Sequence, residues 1–274
     1  MRPSLHYGMR GGDIEGTVRL CRDADVWDLV CDAKQITGSD AYEPLAKPAL
    51  DAFKAPFEAE GIHLSAVTVG WLSRDAEGRP EASEVDRLCG DIGVLGEGGV
   101  PIAQVFDMCR VPEGADRARY VAGLHESYRP IVKACAEAGV KLAIHASWLP
   151  EYALWNTETL MALFRAVPDP HNGVCFCVGS YWQSGDDVVE SVRRFGDRIH
   201  YVHLRDAETV GANCPELLLG KGKVPFAAVT RALREIGYDG PVHCEHFGSF
   251  AGERGGEMSA AFAVGFMRGL FQAR

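Results

Sequence analysis

Short apolar runs of four to eight residues, each followed by an amphipathic stretch, recur along the whole chain. The strand candidates are Leu5–Met9, Val26–Cys31, Ile62–Val69, Ile102–Asp107, Lys141–His145, Gly173–Cys177, Ile199–His203 and Val242–Glu245. Runs this short and this apolar suit strands buried on both faces. Between them the spacing turns helical. Tyr120, Leu124, Tyr128, Ile131, Val132 and Cys135 fall on one stripe, with Pro130 expected to kink or divide that helix. Val188, Val192 and Phe195, then Phe226, Val229, Leu233 and Ile236, repeat the three-and-four spacing.

Eight strand–helix pairs in about 250 residues is the count and length of a (β/α)8 barrel. The expectation is therefore an α/β chain forming a single TIM barrel over residues 1–274, with a doubly wound open sheet as the rival. The barrel is favoured because polar side chains gather at the carboxyl ends of the runs, the face where barrel active sites lie. His6 and Tyr7 lie on the first run, Asp107 on the fourth and His145 at the end of the fifth. Cys177, His203, and Glu245 with His246 end the last three.

Charge and cysteine usage narrow the function classes. A net charge of −10, from 28 basic and 38 acidic residues, disfavours nucleic-acid binding, which needs clustered Lys and Arg. No apolar stretch reaches the roughly 20 residues that span a bilayer, and MRPSLHYGMRGG lacks an apolar signal core. A cytoplasmic protein with no membrane partner is expected. The nine cysteines, at 21, 31, 89, 109, 135, 175, 177, 214 and 244, show no disulfide-scaffold spacing, and only Cys177 is placed for chemistry.

Imidazole, thiolate and carboxylate are the side chains that hold borderline divalent cations. His145, Cys177, His203 and Glu245 are accordingly the candidate metal ligands, able to leave a coordination position open for a substrate. His200 and His243 lie three residues before His203 and His246, so strand alternation is expected to turn them toward the helix layer. His246 shares the site only where the chain turns back after the strand. As an imidazole titrating near neutrality, it is the candidate acid–base group. Trp148, Tyr181 and Trp182 follow the fifth and sixth runs, where aromatic faces could pack against a sugar, another cyclic ligand or a partner subunit. Lys221, in the Gly220–Lys223 loop, is a candidate contact for an anionic group, and Asp107 for the substrate. Asp206 is expected to support His203 or its loop, and Ser180 to serve turn chemistry or stand behind the ligands.

HYG on the first run, LAIH on the fifth, FCVGS on the sixth, VHLRD on the seventh and EHFG on the eighth together carry a resemblance. The chain resembles the xylose-isomerase-like TIM-barrel superfamily, and within it the motifs look most like those of the mannonate dehydratase family. The resemblance implies metal ligation by His145, Cys177 and His203, which match the family's IHP, FCTGS and FVHLRN runs. Its PDHG run places Glu245 where the family has Asp, and His246 at the neighbouring acid–base histidine. Arg205 matches the Arg after the ligand His and suits a substrate carboxylate by bidentate pairing. His6, Tyr7, Asp107, Trp148, Trp182 and Lys221 complete the expected substrate-binding set.

The implied cofactor is a divalent metal, Mn²⁺ first, with Fe²⁺, Co²⁺, Zn²⁺ and Mg²⁺ as alternatives. The implied reaction is dehydration of a sugar acid through an enediolate; the alternatives are keto-sugar isomerisation or epimerisation, and a non-catalytic or partner-dependent barrel subunit. Isomerases of the superfamily usually use two Glu, an Asp and a His as ligands, so His145 and Cys177 favour the dehydratase reading. The chain is shorter than typical family members, has Ala146-Ser147-Trp148 in place of a Pro-Asp-Asp-Pro type loop, and has no Tyr after Tyr238. A small-molecule sugar or sugar-acid substrate and a possible homodimer complete the expectations.

Overall fold

In the computed structural model, residues 1–10, 12–211, 217–246, 250–252 and 255–273 are described. Gly11, Cys214, and Phe247 and Gly248 of the EHFG run lie outside the described residues. Eight parallel strands close into one barrel in chain order. They are β1 (Arg2–His6), β2 (Asp28–Asp32), β3 (His63–Trp71), β4 (Ile102–Asp107), β5 (Lys141–Ala146), β6 (Asn172–Cys177), β7 (Ile199–Leu204) and β8 (Pro241–Cys244). The connecting helices are α1 (Ile14–Asp23), α2 (Ala33–Thr37), α3 (Lys47–Glu58), α4 (Ala82–Glu97) and α5 (Arg117–Ala138) in the first half. In the second half they are α6 (Thr157–Ala166), α7 (Val178–Gln183), α8 (Val188–Phe195), α9 (Phe226–Glu235) and α10 (Gly255–Gln272). Among the described residues no helix is long and apolar enough to cross a membrane.

Each strand divides its side chains between two cores. Outward residues such as Val67, Val105, Ile144, Phe176 and Val202 join the large cluster beneath the helices. Inward residues Val30, Ala66, Ile102, Ala143, Cys175 and Tyr201 form a separate cluster that plugs the barrel, the layered filling expected of this fold. The helices supply the outer half. In α8, Asp187 caps the first turn by accepting from the Val189 and Glu190 N–H groups. Val188, Val192 and Phe195 are buried on its inner stripe, with Phe195 edge-on to Phe164, Phe176 and Tyr181. Burying such a ring stabilises by roughly 1.5–3 kcal/mol.

Two local expectations are corrected. The first strand runs over Arg2–His6 rather than Leu5–Met9, and Tyr7–Arg10 form a 3-10 turn. Pairing decides this, because β1 aligns Arg2, Pro3 and Ser4 with Pro241, Val242 and His243 of β8 and so begins earlier. Pro130 does not divide its helix. α5 is continuous across it, anchored on either side by buried Tyr128, Ile131 and Val132, and ends at Gly139 with a positive φ of 67°.

A buried ion pair ties β4 to the loop after β3. The Arg74 and Asp107 side chains are 0% and 1% exposed and meet at 2.6 Å. Arg74 also donates to the Gly78 carbonyl and to Ser127 Oγ, and the Tyr128 hydroxyl donates to Asp107. Removing one member leaves an uncompensated buried charge, which is far worse than removing both. Asp107→Ala is therefore expected to destabilise by about 3–5 kcal/mol. The Arg74→Met, Asp107→Leu pair should lose clearly less, and urea unfolding of the three variants checks the ordering.

Candidate metal centre

The strand ends set the site. Register pairs Phe106 with His145 across β4 and β5, and Cys177 with His203 across β6 and β7. Glu245 follows β8 directly and is held in line by its N–H bond to the Leu204 carbonyl, 3.0 Å. His145, Cys177, His203 and Glu245 thus point into the same mouth from four successive strands, and their donor atoms lie within 4.8 Å of one another. Glu245 Oε2 is the hub. It stands 3.2 Å from His145 Nε2, 3.1 Å from His203 Nδ1 and 3.5 Å from Cys177 Sγ. Ser180, one turn along α7, donates to Cys177 Sγ at 3.1 Å.

These contacts leave polar groups unpaired. His145 Nδ1 and both ring nitrogens of His203 are buried without a hydrogen-bond partner among the described residues. His203 Nδ1 is near Glu245, but the approach lacks hydrogen-bond alignment. Buried unpaired nitrogens are costly, and a cation at this cluster would take one nitrogen from each imidazole together with the Cys177 sulfur and a Glu245 oxygen. The donor chemistry fits a divalent ion with an open position.

Electrostatics follow the same geometry. Burial alone would raise the Glu245 carboxyl, but His203 and His145 outweigh it and hold it well below the usual carboxylate range. Burial opposes charge on His145, yet Glu245 and then Cys177 carry its pKa up to about 10. His203 goes the other way, lowered by burial against the pull of Glu245.

Other predicted residues separate into three groups. His6 lies at the mouth, its Nε2 3.3 Å from Asp32 and its Nδ1 accepting from the Gly8 N–H at 2.9 Å. Arg205 is buried and lies over the Trp148 ring with its guanidinium carbon 4.9 Å from the centroid. His246 follows Glu245 in the left-handed region (φ 47°), half-exposed, with Nε2 3.9 Å from Glu245 Oε1.

Tyr7 and Asp107 are corrected. The Tyr7 ring is buried edge-on against Phe53 and Phe57 and its hydroxyl donates to the Gly12 carbonyl, because the chain leaves β1 at His6. Asp107 is turned from the axis to Arg74, since Phe106 holds the inward position on β4. Trp182 is half-buried against the outer core, and Lys221 is exposed in the turn before α9; neither lines the mouth cavity. Asp206 supports that turn, accepting from the N–H groups of Ala207, Gly220 and Gly222.

His200 takes the expected outer face, lying where a Cβ on Gly173 would be and contacting the Leu142 carbonyl at 2.6 Å. Burial lowers its pKa to about 4. His243 does not. It faces inward, 5.5 Å from the His203 ring and 5.7 Å from that of His6. The spacing to His246 misleads because His246 is no longer in the strand; His243 and Glu245, two apart, share a face. A cavity of about 160 Å³ opens below the mouth beside His6, Asp32, Gln104, Phe106, Tyr201 and His243. His203 and Glu245 also line it, and with His6 they are its predicted site residues. Tyr201 and His243 were available as the positions two before His203 and Glu245.

Residues 19–268 match the family described as a xylose isomerase-like TIM barrel. A mannonate dehydratase from Thermotoga petrophila is 29% identical over 163 residues, 52% of this chain and 44% of that protein. The matched segment thus spans less than half the length of that relative. The crystal structure of mannonate dehydratase from Streptococcus suis serotype 2 superimposes with a TM-score of 0.82 at 18% identity, covering 99% of this chain and 93% of that one. The IOLI protein, solved with a bound zinc atom, gives 0.78 at 15% identity, covering 99% and 98%. At these identities the structural likenesses speak to fold.

Because His145 is protonated at neutral pH in the metal-free chain, an incoming ion must displace that proton. Calorimetry of Mn²⁺ or Zn²⁺ binding in buffers of different ionisation enthalpy should show proton release at pH 7, and affinity should rise with pH toward about 10. Cys177→Ser should weaken binding. The metal-free pair of His145 and Glu245 has a matching linkage. It stabilises most between the unfolded carboxyl and imidazole values, about 4.3 and 6.5. That contribution fades as pH falls through the depressed Glu245 value or rises through about 10.

Proposed function

This chain belongs to the xylose isomerase-like TIM barrel family, and from that premise we propose that it is a metal-dependent lyase that removes water from a sugar acid. The observation that carries the reading is the convergence of His145, Cys177, His203 and Glu245 at one barrel mouth. The proposed ion is Mn²⁺, held by those four side chains. When bound, it supplies Lewis-acid polarisation of the substrate's carboxylate and neighbouring hydroxyl.

The chain's own residues are assigned the remaining work. Arg205, its guanidinium carbon 4.9 Å from the Trp148 ring centroid, pairs with the substrate carboxylate. His6, whose orientation is set by Gly8 and Asp32, faces the sugar hydroxyls together with Asp32. His246, half-exposed beside Glu245, takes the proton from the carbon next to the carboxylate. The carbon–oxygen bond one carbon further breaks, that hydroxyl leaves as water on receiving a proton, and the enol product becomes a keto-deoxy acid.

Incubation of the metal-loaded protein with D-mannonate in deuterated water, followed by NMR, should give a 2-keto-3-deoxy acid carrying deuterium at C3. An aldose or an epimeric ketose formed from a keto sugar with every hydroxyl retained, and no turnover of aldonic acids, would replace dehydration by isomerisation or epimerisation. His246→Ala should lower kcat by about 10²–10⁴ with metal content unchanged. Unaltered turnover would remove His246 from the proton step.

A further inference from the structure

Strand alternation puts Ala66 and Thr68 on the inner face of β3 and Val67 and Val69 in the outer core. Continued regularly, it would send Trp71 outward to be buried beneath the helices. The strand does not continue regularly. Its pairing with β4 slips between Thr68 and Gly70, so that Trp71 aligns with inward-facing Phe106. Such a bulge inserts one residue and reverses the facing of the strand beyond it.

Local chemistry builds this bulge. Gly70 has a φ of 143°, and a Cβ there would meet the Arg87 guanidinium at 2.8 Å. Arg87 is in turn fixed by the Val69 carbonyl at 2.9 Å and by Asp91 at 2.6 Å. The result is an indole that stacks on Phe106 at 4.5 Å with an interplanar angle of 15°, while Phe106 sits 4.8 Å from the His145 ring. Even so, Trp71 remains 48% exposed. A large aromatic is thus taken out of a core position, clamped, and left open at the rim one ring away from a candidate ligand.

We propose that Trp71 is a substrate-contact residue, an apolar wall at the mouth against which the C–H groups of a polyhydroxy acid pack while its carboxyl end is held at the His145 cluster. This rests on the sugar-acid reading of the site. An indole offers a large rigid surface at small entropic loss, and the contact discriminates by chain length. A two-carbon acid ends at the metal centre, whereas a six-carbon acid extends to the rim.

The test compares D-mannonate with glycolate, which share the carboxylate and adjacent hydroxyl, titrated calorimetrically into Mn²⁺-loaded wild type, Trp71→Ala and Trp71→Phe. Trp71→Ala should weaken D-mannonate by about tenfold, near 1.4 kcal/mol, while changing glycolate by less than about twofold. Trp71→Phe should retain most of the affinity. Undiminished D-mannonate binding in Trp71→Ala, or equal weakening of both acids, would overturn the assignment. A wild type that binds D-mannonate no more tightly than glycolate fails earlier and differently, by removing the sugar-acid reading itself.

Discussion

Closing eight parallel strands on themselves makes the direction of every strand side chain a matter of parity and register, and the chemistry of this mouth depends on that constraint. His145, Cys177, His203 and Glu245 come from regions far apart in sequence, yet each holds the last inward position of its strand or the step just beyond. The same rule removes Asp107, one residue past inward-facing Phe106, to a buried pair with Arg74. It also admits His243, two residues before Glu245. A slip of one residue would exchange these roles, since side chains in a strand alternate with period two.

Two buried carboxylates show how differently this barrel treats charge. Asp107 is matched by a guanidinium and a phenol hydroxyl, so its oxygens have donors and the pair is complete. Glu245 is matched only by imidazoles and a thiol, and nitrogens on both rings remain without partners. The first arrangement is self-sufficient and holds a loop in place. The second is incomplete as a hydrogen-bond network. In a close-packed interior such a deficit is hard to explain as packing. That contrast singles out the last four strands as chemical without reference to any relative.

The barrel and the four donors were legible in sequence because they rest on short-range signals: an apolar run, its length, and the polar residue that ends it. The runs Ile102–Asp107 and Ile199–His203 match their strands to within a residue. What escaped depends on partners elsewhere in the chain. The start of β1 is set by pairing with β8, and Tyr7 is drawn to Phe53 and Phe57 across α3. Counting back from His246 misassigned His243 because the count crossed a strand end marked only by a left-handed φ. Trp71 was invisible for a related reason, since a bulge cannot be read from a run of Thr, Val and Gly alone.

The mouth divides into two halves with different physics. Strands β5 to β8 and the step beyond β8 contribute nitrogen, sulfur and oxygen donors that lie within 4.8 Å of one another. Strands β1 to β4 contribute His6, Asp32, Thr68 and Phe106, with Trp71 at the rim. These hydrogen-bonding groups and aromatic surfaces offer no comparable cluster among the described residues. The His6 imidazole is oriented from both sides, by Gly8 and by Asp32, and the Asp32 carboxylate also accepts from the Tyr42 hydroxyl. Fixed orientation of this kind lowers the entropy lost when a flexible ligand is ordered. On the proposed sugar-acid reading, a polyhydroxy chain anchored at one end would meet hydrogen-bond partners and an apolar face along its length. In that reading selectivity would come from strand ends, with one bulge supplying the surface that regular alternation would have buried.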